Sequence, residues 1–168
     1  MENSTPNIWL QTALERLNTD RFTVQEGPDL KGFQAIAHRS GYECLKGVNC
    51  EYFFFFAETD HLGTDEVEAF SALALEMAKR HRKVMLPCGF GEALFVFPVA
   101  IVTSLDAEAA QLVRKFESRN RLTAIETPVV YEKHSGCLHY PKLTSPWFPF
   151  GGDFLQDMIN QYLGDIRH

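Results

Sequence analysis

Five consecutive aromatic residues, Tyr52 to Phe56, constrain the fold of this chain more than any other segment. Successive side chains of a β-strand point to opposite faces of a sheet, so a strand with one wet face alternates apolar and polar residues. Both faces of this segment are apolar. The pattern predicts a central strand that other elements cover on both sides. A polar segment, Ala57 to His61, follows where the strand leaves the core.

Length and composition predict one globular domain over residues 1–168. Domains of roughly 150 residues bury about two thirds of their unfolded surface, so a stable core needs neither metal nor disulfides. The formal charge of −6 argues against nucleic acid or an anionic membrane as a partner. The four cysteines form no Cys-x-x-Cys pair and favour free thiols. With a polar N-terminus and no long apolar stretch, the chain is predicted to be cytoplasmic.

Periodicity and capping signals predict the element order α-β-β-β-α-β-α-β-β-α. Thr5 is the predicted N-cap of the first helix, and a second helix with an apolar stripe begins near Asp65. The segment from Ala93 to Val102 forms another all-apolar strand, in which Pro98 predicts a bulge or a sheet edge. Ser104 is predicted to cap the third helix. This order favours an α/β or α+β fold with a mixed sheet and helices on both faces.

The first six elements follow the order of the restriction-endonuclease-like core, which is a likeness of topology alone. An active site of that kind requires an acidic residue and a Glu-x-Lys pair on adjacent strands. The nearest segment here, Glu43 to Lys46, has the wrong spacing. It also falls within residues 39–49, which are predicted to form a loop.

The first group of candidate functional residues is Glu58, Asp60 and His61, just beyond the aromatic strand. Strand ends in α/β proteins commonly hold ligands, and two carboxylates with an imidazole supply acid, base and metal-ligand groups. They would form the catalytic site of a metal-dependent hydrolase or nuclease, with His38 added if strand pairing brings it close. The alternative is a polar loop leading into a helix cap, where acidic residues suit the helix dipole. Because such loops are common, that alternative is favoured.

The second group depends on the geometry of a predicted hairpin. A two-residue turn at Ser135 and Gly136 would place four potential ligands on one face: Glu132, His134, Cys137 and His139. Carboxylate, imidazole and thiolate groups are suitable zinc ligands, so this face is a candidate metal site. The alternative is the solvent face of an antiparallel pair, and it is favoured because no paired-cysteine motif is present. No cofactor other than a divalent metal is indicated.

The third group lies in the segment from Pro141 to Gly152, which contains three prolines and three aromatic residues. Trp147, Phe148 and Phe150 would present aromatic anchors to a partner protein, unless the segment folds onto the core as a lid. The sequence therefore favours a protein-interaction or small-ligand-binding module without catalysis. A metal-dependent hydrolase is the alternative. Partner identity and oligomeric state stay open.

Overall fold

The computed structural model describes residues 7–27, 30, 32–43, 48–82, 92–117, 124–142 and 153–166. Four described helices lie against a sheet of seven strands. The helices are α1 (Ile8–Thr19), α2 (Thr64–His81), α3 (Ala107–Arg114) and α4 (Asp153–Leu163). The strands are β1 (Thr23–Glu26), β2 (Ala35–Glu43), β3 (Val48–Leu62), β4 (Glu92–Leu105), β5 (Ala124–Glu126), β6 (Val129–Glu132) and β7 (Cys137–His139). The predicted element order is confirmed, except that one predicted strand is divided into β5 and β6.

The sheet is mixed, as predicted. Its main strand order is β1-β2-β3-β4-β6-β7, and β5 pairs with β4 ahead of β6. The pairs β1–β2, β2–β3 and β6–β7 are antiparallel, whereas β4 runs parallel to β3, β5 and β6. Parallel neighbours need a crossover connection, which α2 supplies between β3 and β4 and α3 supplies after β4. None of the described helices is long and apolar enough to span a bilayer.

The aromatic run forms the centre of β3, and its side chains divide between two buried faces. Tyr52, Phe54 and Phe56 lie on the side covered by α1 and α4, which we call the aromatic face. Phe53 and Phe55 lie on the side covered by α2, which we call the glutamate face for the buried glutamates described below. All five side chains are at most 2% exposed. Coverage of both faces of the strand is therefore confirmed, and the helices provide it.

Pro98 lies inside β4 without the predicted bulge or edge. The register with β3 is continuous across it, with Pro98 opposite Phe55. On the other side of β4, the Val96 carbonyl accepts a hydrogen bond from Thr127 N at 2.8 Å, just where β5 ends and before β6 begins. Alternate residues of a strand present their backbone groups to the same neighbour, so the Pro98 nitrogen faces this interruption as well. The N–H that Pro98 lacks would therefore point to the gap between β5 and β6.

Two helix starts differ from the predicted ones. Asn7 is the N-cap of α1, and its Oδ1 accepts a hydrogen bond from Leu10 N at 3.2 Å. Thr5, the predicted cap, lies outside the described residues. Asp106 rather than Ser104 occupies the N-cap of α3, because β4 continues through Leu105 and keeps Ser104 in the strand.

The β2–β3 hairpin is longer than predicted. Residues 39–43 continue β2 and residues 48–49 begin β3, so most of the predicted loop is strand. The reason is that backbone pairing continues in register as far as Glu43 opposite Val48. Lys46 lies outside the described residues.

Candidate ligand-binding site

The three predicted catalytic residues do not lie in a loop, because β3 continues through Leu62. Alternation along the strand places Glu58 and Asp60 on one side of the sheet and His61 on the other. Glu58 lies on the same side as the aromatic face, and His61 on the same side as the glutamate face. The imidazole of His61 therefore points away from the two carboxylates, and the three side chains do not meet in one site. Their catalytic role stays a prediction.

Glu58 is held by neighbours at the end of the sheet. Its carboxylate forms an ion pair with Lys133 Nζ and accepts a hydrogen bond from Gln34 Nε2 at 3.4 Å. Burial raises the pKa of Glu58, but the hydrogen bonds from Lys133 and Gln34 outweigh that effect and hold the pKa below its usual value. The carboxylate is therefore anionic at neutral pH and links β3 to the residue that follows β6.

His61 contacts two residues that were not predicted as its partners. His61 Nδ1 lies 3.1 Å from Ser104 Oγ, and His61 Nε2 lies 3.5 Å from Asp106 Oδ2. Ser104 Oγ also donates to the Asp60 carbonyl oxygen at 3.3 Å. The hydroxyl of Ser104, the imidazole of His61 and the carboxylate of Asp106 thus lie side by side at the carboxyl ends of β3 and β4. Because the Ser104 hydroxyl donates to the Asp60 backbone, the group joins the two strand ends rather than presenting a free nucleophile.

His38 does not join Glu58 and His61. It lies opposite Phe53, five residues before Glu58 on β3, and the rise of a strand makes that separation about 17 Å. Its ring stacks on Phe53 at 4.2 Å between centroids, and its Nε2 lies 3.3 Å from Glu51 Oε2. The partner of His38 is therefore a buried glutamate near the start of β3.

The hairpin between β6 and β7 has a four-residue turn, residues 133–136, so the predicted two-residue turn is wrong. Glu132 lies opposite Cys137, and Val130 lies opposite His139. The Gly136 backbone has φ +66°, a conformation that glycine adopts without steric cost, and its N–H donates to the Glu132 carbonyl at 2.9 Å. In this register Glu132, Cys137 and His139 still share one side. His134 belongs to the turn.

His139 lies between two charged residues, Glu132 and Arg114. Its Nε2 lies 3.8 Å from Glu132 Oε2, and its Nδ1 lies 3.1 Å from Arg114 Nη2. A guanidinium has donors only, so Nδ1 accepts and the ring proton sits on Nε2. Burial and the Arg114 charge lower the pKa of His139, although Glu132 acts in the opposite direction. The imidazole is neutral, and its protonated Nε2 faces the carboxylate.

This tautomer bears directly on the predicted metal site. A histidine nitrogen must be unprotonated to bind a metal. Because Arg114 donates to Nδ1, the ring proton of His139 lies on Nε2. Nε2 therefore becomes a ligand only if Arg114 turns away and the proton moves to Nδ1. Over the described parts of the chain, no three His, Cys, Asp or Glu side chains are grouped to hold a metal ion. Metal binding by Glu132, His134, Cys137 and His139 stays a prediction.

Three buried glutamates on the second face of the sheet were not predicted. Glu51, Glu92 and Glu126 are at most 8% exposed, and register places them on the side of Phe53 and Phe55. A buried carboxylate needs charged or hydrogen-bonding partners to offset its desolvation. Arg82, immediately after α2, provides one of them through an ion pair of 2.9 Å with Glu92. The sequence signal was a glutamate directly beside an apolar run: Glu51 precedes the aromatic run, Glu92 begins β4 and Glu126 ends β5.

A cleft opens between α2 and the end of the sheet that carries β5. Its volume is about 190 Å³. One side consists of α2 residues spaced three or four apart, which brings their side chains to the same side of a helix. The other side consists of Phe116, after α3, and the buried Glu126. The residues that line this α2 cleft are Glu68, Ala72, Leu75, Glu76, Lys79, Phe116 and Glu126.

The α2 cleft combines an apolar surface with charged groups. Ala72, Leu75 and Phe116 supply the apolar part, and three glutamates face one lysine across the remainder. Arg80 forms an ion pair with the exposed Glu76. Ligand pockets typically have this composition, a mainly apolar lining with a few polar groups that fix orientation. Sequence analysis missed the site because its two sides come from separate parts of the chain.

The predicted aromatic anchors Trp147, Phe148 and Phe150 lie outside the described residues, so their binding role stays a prediction. No family model matches this chain, and no curated protein matches it significantly.

Proposed function

We propose that this protein is a small-ligand-binding module without catalysis and that the α2 cleft holds the ligand. The observation that carries the proposal is a recess of about 190 Å³ in which a buried carboxylate, Glu126, meets an aromatic side chain, Phe116. A water molecule occupies about 30 Å³ of liquid, so the recess has room for roughly six groups of that size. The proposed ligand is accordingly a small molecule or the terminal group of a larger one.

Net charge and thiol chemistry support two finer features of the proposal. The net charge of −6 favours a small molecule over a nucleic acid as the partner. A cytoplasmic location is consistent with the exposed free thiol of Cys137, since thiols persist in reducing compartments. An interaction with a partner protein through Trp147, Phe148 and Phe150 is a separate proposal.

The test is an NMR titration of the full chain, labelled with ¹⁵N, against a library of small charged and neutral fragments. Binding at the proposed site should shift the amide signals of Ala72, Leu75 and Phe116 together and saturably. An Ala72→Trp variant should abolish these shifts, because Ala72 lines the recess and an indole would fill it.

Ala69→Trp is the matched control, because Ala69 is also exposed on α2 but does not line the cleft. It makes the same chemical change on the same helix and should leave binding intact. Shifts that map elsewhere, or that persist in Ala72→Trp, would overturn the assignment of the site.

A further inference from the structure

The exposed side of α2 carries a charge pattern that is complementary to itself. Helix residues three or four apart lie on the same side, and six of them form an exposed row that we call the outer seam. The seam is acidic in the first turn of the helix, apolar in the middle and basic in the last turn. Its members are Asp65, Ala69, Ala72, Leu73, Glu76 and Arg80.

Antiparallel packing of two such helices would match opposite charges. The helix has 18 residues, so its midpoint falls between Ala72 and Leu73. A two-fold axis at the midpoint places Asp65 of one copy opposite Arg80 of the other, and symmetry repeats this pair at the far end. Charge complementarity of this kind fixes the orientation and register of an interface. We propose that two copies of this chain form a weak homodimer through the outer seam.

The ion pair already present on the seam is compatible with this packing. Arg80 pairs with Glu76 in its own helix, but a guanidinium has five donors and can serve two carboxylates. Glu76 lies opposite Ala69 of the second copy, whose small side chain leaves room for the pair. Beside the seam, Glu66 lies opposite Lys79 in the same register and adds a second match of opposite charges at each end.

The centre of the seam is apolar and favours contact with a like surface. Leu73 is 37% exposed, and Ala69 and Ala72 beside it are exposed as well. Two copies would remove these side chains from water together. The contact would extend over about 27 Å of helix, which falls at the low end of the roughly 1,200–2,000 Å² that specific interfaces bury in total. The dimer should therefore be weak, with a Kd on the order of 0.1–1 mM.

The test is sedimentation equilibrium of the full chain, without ligand, at protein concentrations around the expected Kd. The wild type should associate, and the NMR amide signals of Ala69 and Leu73 should shift together with concentration. Leu73→Lys should reduce this association at least tenfold, because it brings two ammonium groups together beside the two-fold axis.

Two charge reversals give a test that a folding defect cannot imitate. Asp65→Lys and Arg80→Glu each put like charges opposite one another, so each variant alone should associate about tenfold more weakly than the wild type. An equimolar mixture of the two variants matches opposite charges at both ends and should restore the association. Glu15→Lys, on the exposed side of α1, changes the net charge as much as Asp65→Lys and should associate like the wild type.

The inference does not depend on the proposed function, since it concerns two copies of the chain and requires no ligand. A wild type that stays monomeric at several times the expected Kd would overturn it. A mixture of Asp65→Lys and Arg80→Glu that associates no better than either variant alone would overturn it too. Association that shifts amide signals only outside α2 would refute the outer seam as the interface. None of these results bears on the α2 cleft, which the fragment titration tests separately.

Discussion

The two faces of the central sheet bury different chemistry although the same strands form both. On the aromatic face, Trp9 stacks on Tyr131 at 4.2 Å with an interplanar angle of 7°, within a continuous cluster of rings. On the glutamate face, Glu51, Glu92 and Glu126 are buried among the apolar residues. Ring packing stabilises a fold without further chemistry, whereas buried carboxylates oppose folding unless they are paired. The difference indicates that ring packing contributes to stability mainly on the aromatic face, whereas the glutamate face carries charges whose burial must be offset.

The helices strengthen this contrast. On the aromatic face, α1 and α4 are joined at their ends, where Arg16 Nη1 donates to the Gly164 carbonyl at 2.6 Å. Gln161 Nε2 donates to Asp20 Oδ2 at 2.6 Å in the same region. On the glutamate face, Arg82, immediately after α2, pairs with the strand residue Glu92, and the α2 cleft lies beside the helix. On the aromatic face, α1 and α4 close a core, whereas on the glutamate face α2 borders the α2 cleft.

The largest effect should come from breaking the aromatic face. Phe54 is fully buried and stacks on Phe97 at 4.4 Å, so Phe54→Ala should lower the free energy of unfolding by about 3–5 kcal/mol. Urea denaturation followed by circular dichroism measures the change. Leu73→Ala, at a residue that is 37% exposed, should cost less than about 1 kcal/mol. Equal losses in the two variants would contradict the importance of the ring cluster.

The element order could be predicted because its signals are local. The run from Tyr52 to Phe56 and the caps and stripes of the helices need only neighbouring residues to be recognised. Pairing across the sheet is not local: the contact of His61 with Ser104 depends on the register of two parallel strands. The polar residues after Phe56 have the composition of a loop, but they stay in β3 because backbone pairing with the neighbouring strand continues past them. For the same reason the α2 cleft, formed by Lys79 and the distant Glu126, could not be inferred.

A second large effect should come from unpairing a charge on the glutamate face. Arg82→Met leaves the Glu92 carboxylate buried without its guanidinium partner, and this should cost about 3 kcal/mol. The double variant Arg82→Met with Glu92→Leu removes both charges and should be more stable than Arg82→Met alone. Urea unfolding of the wild type, both single variants and the double variant completes the cycle. Strict additivity of the two single effects would show that the pair is not coupled.

A smaller effect should appear on mild acidification, through His139. Burial and Arg114 hold the folded-state pKa of His139 below its usual value of 6.5, so the unfolded chain binds the proton more readily. Its contribution to stability is therefore complete above that value and is lost as the pH falls below it. Between about pH 7.5 and about pH 5.5, the wild type should lose more stability than His139→Gln. An identical loss in the two proteins would show that His139 is not held neutral.

The smallest effect concerns the aromatic face and appears only in alkali, not at neutral pH. Burial, with a contribution from Asp20, raises the pKa of Tyr162 to about 12. Burial also raises the pKa of Tyr131, on the same face. A phenol with a raised folded-state pKa contributes stability that is present below its unfolded value of about 10 and is lost as the pH rises towards 12. Absorbance at the phenolate band should show a late ionisation whose amplitude Tyr162→Phe lowers by one tyrosine. If Tyr162→Phe leaves the late ionisation unchanged, the aromatic face is open to water at α4, and its contrast with the glutamate face would have to rest on ring packing alone.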